Sequence, residues 1–173
     1  AGITVGYNEP TYFSEGNQIV NNTVWNDDDN QNVPTASNPF SIAGLWMGSC
    51  ADGVISDNIV FNKTDIAASK IKSGIWVDEN TVKNITVSNN IITSMSEVGI
   101  WVGEIGTGVI EDVCIRDNTI KYCRDGIRIK QGGDIHIENN TIKFTGQRGV
   151  YALAGTKNVR IEGNTLLACS QQQ

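Results

Sequence analysis

The sequence predicts an all-β solenoid of about five to six stacked coils, and two recurring phrases predict it. The first runs apolar–x–apolar–x–(Asn, Asp or Gly)–Asn–(Thr or Ile)–apolar and occurs six times, around Asn22, Asn58, Asn90, Asn118, Asn140 and Asn164, at steps of 36, 32, 28, 22 and 24 residues. The second is Gly–apolar–x–apolar, at Gly44, Gly74, Gly99, Gly126 and Gly149. A fixed phrase at a period of roughly 20 to 40 residues marks a repeat architecture: one coil cannot bury its apolar face, and stacked coils bury it against each other.

The chain opens on Gly2-Ile3-Thr4-Val5, which already fits the second phrase, so it begins inside a coil with no polar cap before it. The last phrase runs out at Leu167-Ala168-Cys169-Ser170, followed by three glutamines. Solenoid ends need covering. The expectation is a segment of a longer protein, or an end capped by another chain, with a homotrimer as one arrangement. The amides from Ile3 to Tyr7 are then expected to exchange readily or to pack on that other chain.

Between the first Asn phrase and Gly44 lies a polar, Pro-punctuated stretch, 26–39, predicted as an exposed loop of one single domain spanning 1–173. Its three adjacent carboxylates, Asp27, Asp28 and Asp29, are expected to be solvated, because calcium loops alternate their ligands. From Gly44 onward each coil holds at least two short strands whose apolar residues alternate, the period of a sheet with one buried face. A third strand is less clear, over the stretches leading into the Asn phrase such as Asn84–Val87 and Asp134–Ile137. Aligned on the Asn, two columns are aliphatic throughout: Val24, Val60, Ile92, Ile120, Ile142, Leu166, and Ile19, Ile55, Val87, Ile115, Ile137, Ile161. Both are predicted to face inward. The Asn between them is predicted to form an amide ladder along the coil axis, a structural role. The glycine before each second-phrase strand is expected to supply backbone freedom at a tight corner.

Composition excludes several functions. With 13 basic and 19 acidic residues the net charge is −6, and no basic stripe offers nucleic acid its counterion release. No apolar run reaches the length of a membrane span, and no membrane partner is expected. The four cysteines do not form a disulfide framework. Cys123 and Cys169 share an offset but stand two coils apart, about 9–10 Å, too far to bridge. Neither Cys–x–x–Cys nor a Cys/His metal spacing appears, so no metal or cofactor is expected.

These phrases resemble the repeats of the right-handed parallel β-helix superfamily, the pectate-lyase-like group, over essentially the whole chain outside 26–39. The resemblance implies that fold. It also implies, for most members, long polysaccharides bound along one face, and an extracellular or virion-surface location. The superfamily includes polysaccharide lyases, glycoside hydrolases, epimerases, phage tailspikes and non-catalytic surface proteins, so fold alone does not choose among them. The Asp-Pro-His-Asp motif of alginate epimerases is missing, and no calcium–arginine constellation of the pectate-lyase kind is seen.

The candidate surface is the outward column of the second phrase: Thr4, Trp46, Trp76, Trp101, Arg128, Tyr151, holding three of the four tryptophans. At about 4.8 Å per rung it is an aromatic ladder fit to receive flat sugar rings, or else to stack on itself or be covered by a loop or a second chain. Charges gather beyond it: Asp78, Glu79 and Glu104 in two successive coils, then Arg128 and Lys130. Paired carboxylates suit glycoside hydrolysis, and the cations suit elimination from a uronate; the acids also fit a solvated corner where Glu104 pairs with Lys130. The expectation is a polysaccharide-binding segment that uses Trp46, Trp76, Trp101, Arg128, Lys130 and Tyr151 for substrate. Asp78, Glu79 and Glu104 would serve any catalysis, with no cofactor. A non-catalytic structural or adhesion module, such as part of a phage tail or surface fibre, is the alternative. A second outward column, Gln18, Val54, Thr86, Cys114, His136, Arg160, puts the only histidine beside a thiol; no orienting third group accompanies them, and a catalytic role there is not expected.

Overall fold

The computed structural model describes residues 2–5, 13–26, 43–63, 71–103 and 108–170. The loop at 26–39, apart from the backbone of Asn26, lies outside them, as do Tyr7 and Glu104. The chain is a right-handed parallel β-helix: every pairing between its named strands is parallel, and no helix occurs among the described residues. The strands are β1 (Ile3–Val5), β2 (Ser14–Glu15), β3 (Gln18–Val20), β4 (Thr23–Asn26), β5 (Ala43–Ser56), β6 (Ile59–Asn62), β7 (Ser73–Ser88), β8 (Ile91–Thr93) and β9 (Val98–Val102). They continue as β10 (Val109–Arg116), β11 (Thr119–Lys121), β12 (Asp125–Ile129), β13 (Gly132–Glu138), β14 (Thr141–Lys143), β15 (Arg148–Ala152), β16 (Thr156–Glu162) and β17 (Thr165–Leu167).

Each coil contributes three stretches. The Gly–apolar strand forms a first face, stacked β5–β7–β9–β12–β15. The stretch leading into the Asn phrase, ambiguous in the sequence, is a full strand: β10, β13 and β16 continue the later halves of β5 and β7, which run through the intervening corner unbroken. The stretch after the Asn forms a separate six-stranded sheet, β4–β6–β8–β11–β14–β17.

The register reproduces both aliphatic columns residue for residue. Val60, Ile92, Ile120 and Ile142 are buried against Ile55, Val87, Ile115 and Ile137 in one core running along the axis. The last members, Ile161 and Leu166, are exposed on the final coil.

The Asn ladder is present. Asn22, Asn58, Asn90 and Asn118 each donate through Nδ2 to Oδ1 of the next Asn at 2.9–3.0 Å, and Asn140 does the same to Asn164. The same Oδ1 atoms accept the preceding Asn backbone N–H, as Asn118 does from Asn90 at 2.9 Å. The residue before each Asn is left-handed, with φ between 56° and 63° at Asn21, Asp57, Asn89, Asp117, Asn139 and Gly163. That explains why only Asn, Asp or Gly stands there. Asn118 also donates to the carbonyls of Val87 and Arg116, both at 2.9 Å. Asn118→Ala is therefore expected to lower unfolding free energy by about 2–3 kcal/mol, because buried neighbours lose their partners. Urea unfolding checks this, and an unchanged midpoint would show that the ladder contributes nothing.

The glycine column has a different cause from the one the sequence suggested. Gly44, Gly74, Gly99, Gly126 and Gly149 are absent from the positive-φ residues, so no left-handed corner demands them. What excludes a side chain is contact. A Cβ on Gly99 would stand 2.5 Å from Ile120 Cγ2 and 2.6 Å from the Gly126 carbonyl oxygen, and its counterparts meet Val60, Ile92 and Ile142 in the same way. The Gly–apolar strand can cross the core only where it has no side chain, directly under the aliphatic column of the six-stranded sheet.

Candidate functional site

The register places Thr4, Trp46, Trp76, Trp101, Arg128 and Tyr151 in one column, as the sequence predicts. That column is not an open platform. Trp46, Trp76 and Trp101 are 2 %, 1 % and 7 % exposed, and they form their own buried cluster with Ala43 and Val98, outside the main core. Trp76 and Trp101 stack with centroids 5.4 Å apart and planes 22° apart. The indoles stack on each other and are closed off from solvent, so no sugar ring can lie on them.

Arg128 is also committed. Its guanidinium lies 4.9 Å over the Trp101 ring and donates from Nε (3.2 Å) and Nη2 to Asp125 Oδ2. Asp125 is fully buried, with Arg148 as a second cation 4.0 Å away; Arg148 in turn lies 3.9 Å over Tyr151. A fully buried carboxylate has to be paired, and here two guanidinium groups bracket it. Sequence reasoning missed Asp125, although it stands immediately before Gly126. The register Ala43, Ser73, Val98, Asp125, Arg148 makes that position a column of its own. Tyr151 and Lys130 are half-buried at the end of the same face.

Of the three acids, the structure places the side chain of one. Asp78 is fully buried beside the tryptophans and pairs in register with Gly48, which leaves it no access to a substrate. The side chain of Glu79 and all of Glu104 lie outside the described residues. The corners that would bring the two together differ: β7 continues as strand beyond Asp78 to Ser88, whereas β9 ends at Val102 and the chain turns at Gly103 with φ 71°.

The second outward column also holds its predicted register, Gln18, Val54, Thr86, Cys114, His136, Arg160. Unlike the tryptophans it is open: His136 is exposed and Cys114 half-buried. Both project from flat, well-paired strands, β10 and β13, whose inward neighbours Val113, Ile115, Ile135 and Ile137 lock them onto the core. Cys114 Sγ lies 3.9 Å from Glu138 Oε1, on the rung of His136 and two residues on. Burial, and then the Glu138 carboxylate, push the Cys114 thiol up from its ordinary value, while Arg116 opposes them. All four cysteines are free, as the sequence predicts. Cys50 and Cys123 are interior, and burial pushes the Cys123 thiol up to about 12.

The model of the family described as "Periplasmic copper-binding protein (NosD)" matches residues 3–172. No curated protein and no solved structure matches the chain. The family match bears out the parallel β-helix and overturns the functional expectation. The family is described by copper and the periplasm rather than by polysaccharide, hydrolysis, elimination or a virion fibre, and the buried tryptophans and buried Asp78 give the same answer physically.

The donor set can be tested against copper. Among the described residues no group of three or more His, Cys, Asp and Glu is placed to hold a metal. A closed three- or four-ligand cage is therefore not formed there. Interior sulfur atoms, those of Cys50, Met47, Cys123 and Met95, sit in the apolar core, out of reach of an ion from solvent. What remains is the Cys114–His136 rung pair: a soft sulfur and a borderline imidazole nitrogen on adjacent strands, reachable from solvent. Soft sulfur selects monovalent copper and imidazole suits copper in either state, so the pair fits the metal in type, as a low-coordinate site.

Proposed function

Because this chain belongs to the NosD family of periplasmic copper-binding proteins, we propose that it is a copper-handling β-helix of the periplasm that takes monovalent copper at Cys114 and His136. The observation that supports this reading is the register match of the only histidine with the one thiol that is neither interior nor on the final coil. Copper supplies no chemistry to the fold here; it is the cargo. The residues do three things. Strands β10 and β13 hold the two donors one rung apart, about 4.8 Å between backbones. The raised thiol keeps Cys114 protonated near neutral pH, so uptake of metal is coupled to release of that proton. The open, flat surface leaves room for a third ligand brought by a partner, which suits transfer rather than storage.

Titration with monovalent copper against a chromophoric chelator tests the reading. One equivalent is expected to bind, with X-ray absorption showing one sulfur and one nitrogen neighbour. Cys114→Ser should weaken binding by about 100-fold or more and His136→Gln by about 10-fold or more, since losing a ligand costs at least as much as the roughly 10–100-fold of losing a group that orients one. Cys169→Ser should change nothing. Equal binding by wild type and Cys114→Ser, or no binding by wild type, overturns the assignment.

A further inference from the structure

The outer face of the six-stranded sheet carries an asymmetry that copper binding does not use. Its strands expose two side-chain columns. One is Thr23, Ile59, Ile91, Thr119, Thr141, Thr165; the other is Trp25, Phe61, Thr93, Lys121, Lys143, Leu167. Neither column contains a carboxylate, in a chain whose net charge is −6. Along the edge beyond the second column stand Lys63, Tyr122, Arg124 and Phe144. Of the acids near these strands in sequence, Asp57 and Asp117 sit at the Asn-ladder corner, Asp125 is buried and held by Arg128, and Asp27, Asp28, Asp29 and Asp65 lie outside the described residues.

Large apolar groups on this face are open. Trp25 is 48 % exposed, and Ile59, Ile91, Tyr122, Phe144 and Leu167 are comparably so. The aromatics are ordered in pairs: Trp25 stacks on Phe61 at 6.3 Å, and Tyr122 on Phe144 at 5.2 Å with planes 11° apart. Lys63 lies 5.5 Å over the Trp25 ring. Lys121 and Lys143 make no ion pair among the described residues. Tyr122 and Phe144 hold φ values of 53° and 54°, a conformation that costs a bulky residue energy and that Gly or Asn would adopt freely.

We infer that this face docks on the surface of an anionic lipid bilayer, with Trp25, Phe61, Tyr122 and Phe144 at the headgroup–acyl boundary and Lys121, Lys143 and Arg124 against lipid phosphates. Aromatic rings flanked by cations are the composition of a membrane–water interface, where an amphipathic ring and a snorkelling lysine are both satisfied. Size separates this occupant from a protein. Six rungs and three residues give a flat area of about 24 by 10 Å, near 300 Å² with the corner aromatics, against about 800 Å² per partner in a stable protein interface. Lipid contact needs no shape complementarity and adds up residue by residue. The expectation of no membrane partner followed from span length alone and does not bear on a peripheral contact.

Co-sedimentation with vesicles of phosphatidylcholine, with and without 30 % phosphatidylglycerol, tests the inference on the full chain. Binding is expected to the anionic vesicles, at least 10-fold tighter than to the neutral ones and weakened by salt. Lys121→Glu with Lys143→Glu should abolish it; Trp25→Ala with Phe61→Ala should reduce it about 10-fold. Brominated lipid should quench Trp25, since the other three tryptophans are buried. Thermal melts of the variants read folding separately, as these side chains point outward. Absence of binding, equal binding to neutral vesicles, or wild-type binding by the double Lys→Glu variant overturns it. So does capture of an acidic protein by this face without any affinity for vesicles.

Discussion

Gly99→Val is expected to leave the chain largely unfolded at 25 °C, a loss of about 5 kcal/mol or more. The first added carbon already stands 2.5 Å from Ile120 Cγ2 and 2.6 Å from the Gly126 carbonyl. Neither neighbour can yield. Ile120 is fully buried in the aliphatic column, and the carbonyl belongs to the paired strand of the next coil. Two further methyl carbons enlarge the overlap, and any backbone shift propagates to the rungs on both sides. Gly99→Ala should be intermediate. Circular dichroism and urea unfolding check both; a folded Gly99→Val protein with an unshifted midpoint would show that the core is far looser than its contacts imply.

Trp76→Ala should cost about 3–5 kcal/mol of stability, the range for emptying a large buried aromatic site. The residue is buried between Trp46 and Trp101 on neighbouring rungs, and its removal takes away the stacking surface of Trp101. Near-ultraviolet circular dichroism should lose the signal of the coupled indoles, and denaturant unfolding should move to lower midpoint. Copper affinity at Cys114 should not change in the folded fraction, because that site lies on a different strand of the coil. A stability loss under about 1 kcal/mol would mean that the cluster is filled or covered in some other way.

Much of the fold was legible because a solenoid repeats its own test. Every aliphatic column predicted from the Asn alignment reappears as a register column, and so do both outward columns. The Asn, Asp or Gly before the ladder Asn was also in plain view as a left-handed signal. The second left-handed corner, at Ser94, Tyr122, Phe144 and Ala168, was not, since those residue types carry no preference for it. The glycine column was read correctly as a position and wrongly as a cause: steric exclusion by a residue 16 to 21 positions on leaves the same letter in the sequence as conformational need.

The site was less legible. Period-two alternation separates the inside of the coil from its outside, but it cannot tell an outward residue in solvent from one sealed into a second cluster. Trp46, Trp76 and Trp101 were for that reason assigned to a surface they do not occupy. Of the flanking acids Asp78 is buried, while the side chain of Glu79 and all of Glu104 lie outside the described residues. The Cys114–His136 pair was located correctly; what weighed against it was a search for catalysis, which needs a third group, whereas holding a soft ion needs only two donors.

The amide ladder gives the molecule a direction. Nδ2 of each earlier Asn points to Oδ1 of the later one at every step from Asn22 to Asn164. The side-chain dipoles therefore add up along the axis instead of cancelling, and the two ends of the stack differ: Asn22 donates into the ladder at the first rung, whereas Asn164 accepts from it at the last and gives its own Nδ2 to the carbonyls of Ile137 and Glu162. Two such stacks brought together by a twofold axis would set like groups against each other. A coil joined to the ladder in the same register would carry the same arrow, head to tail.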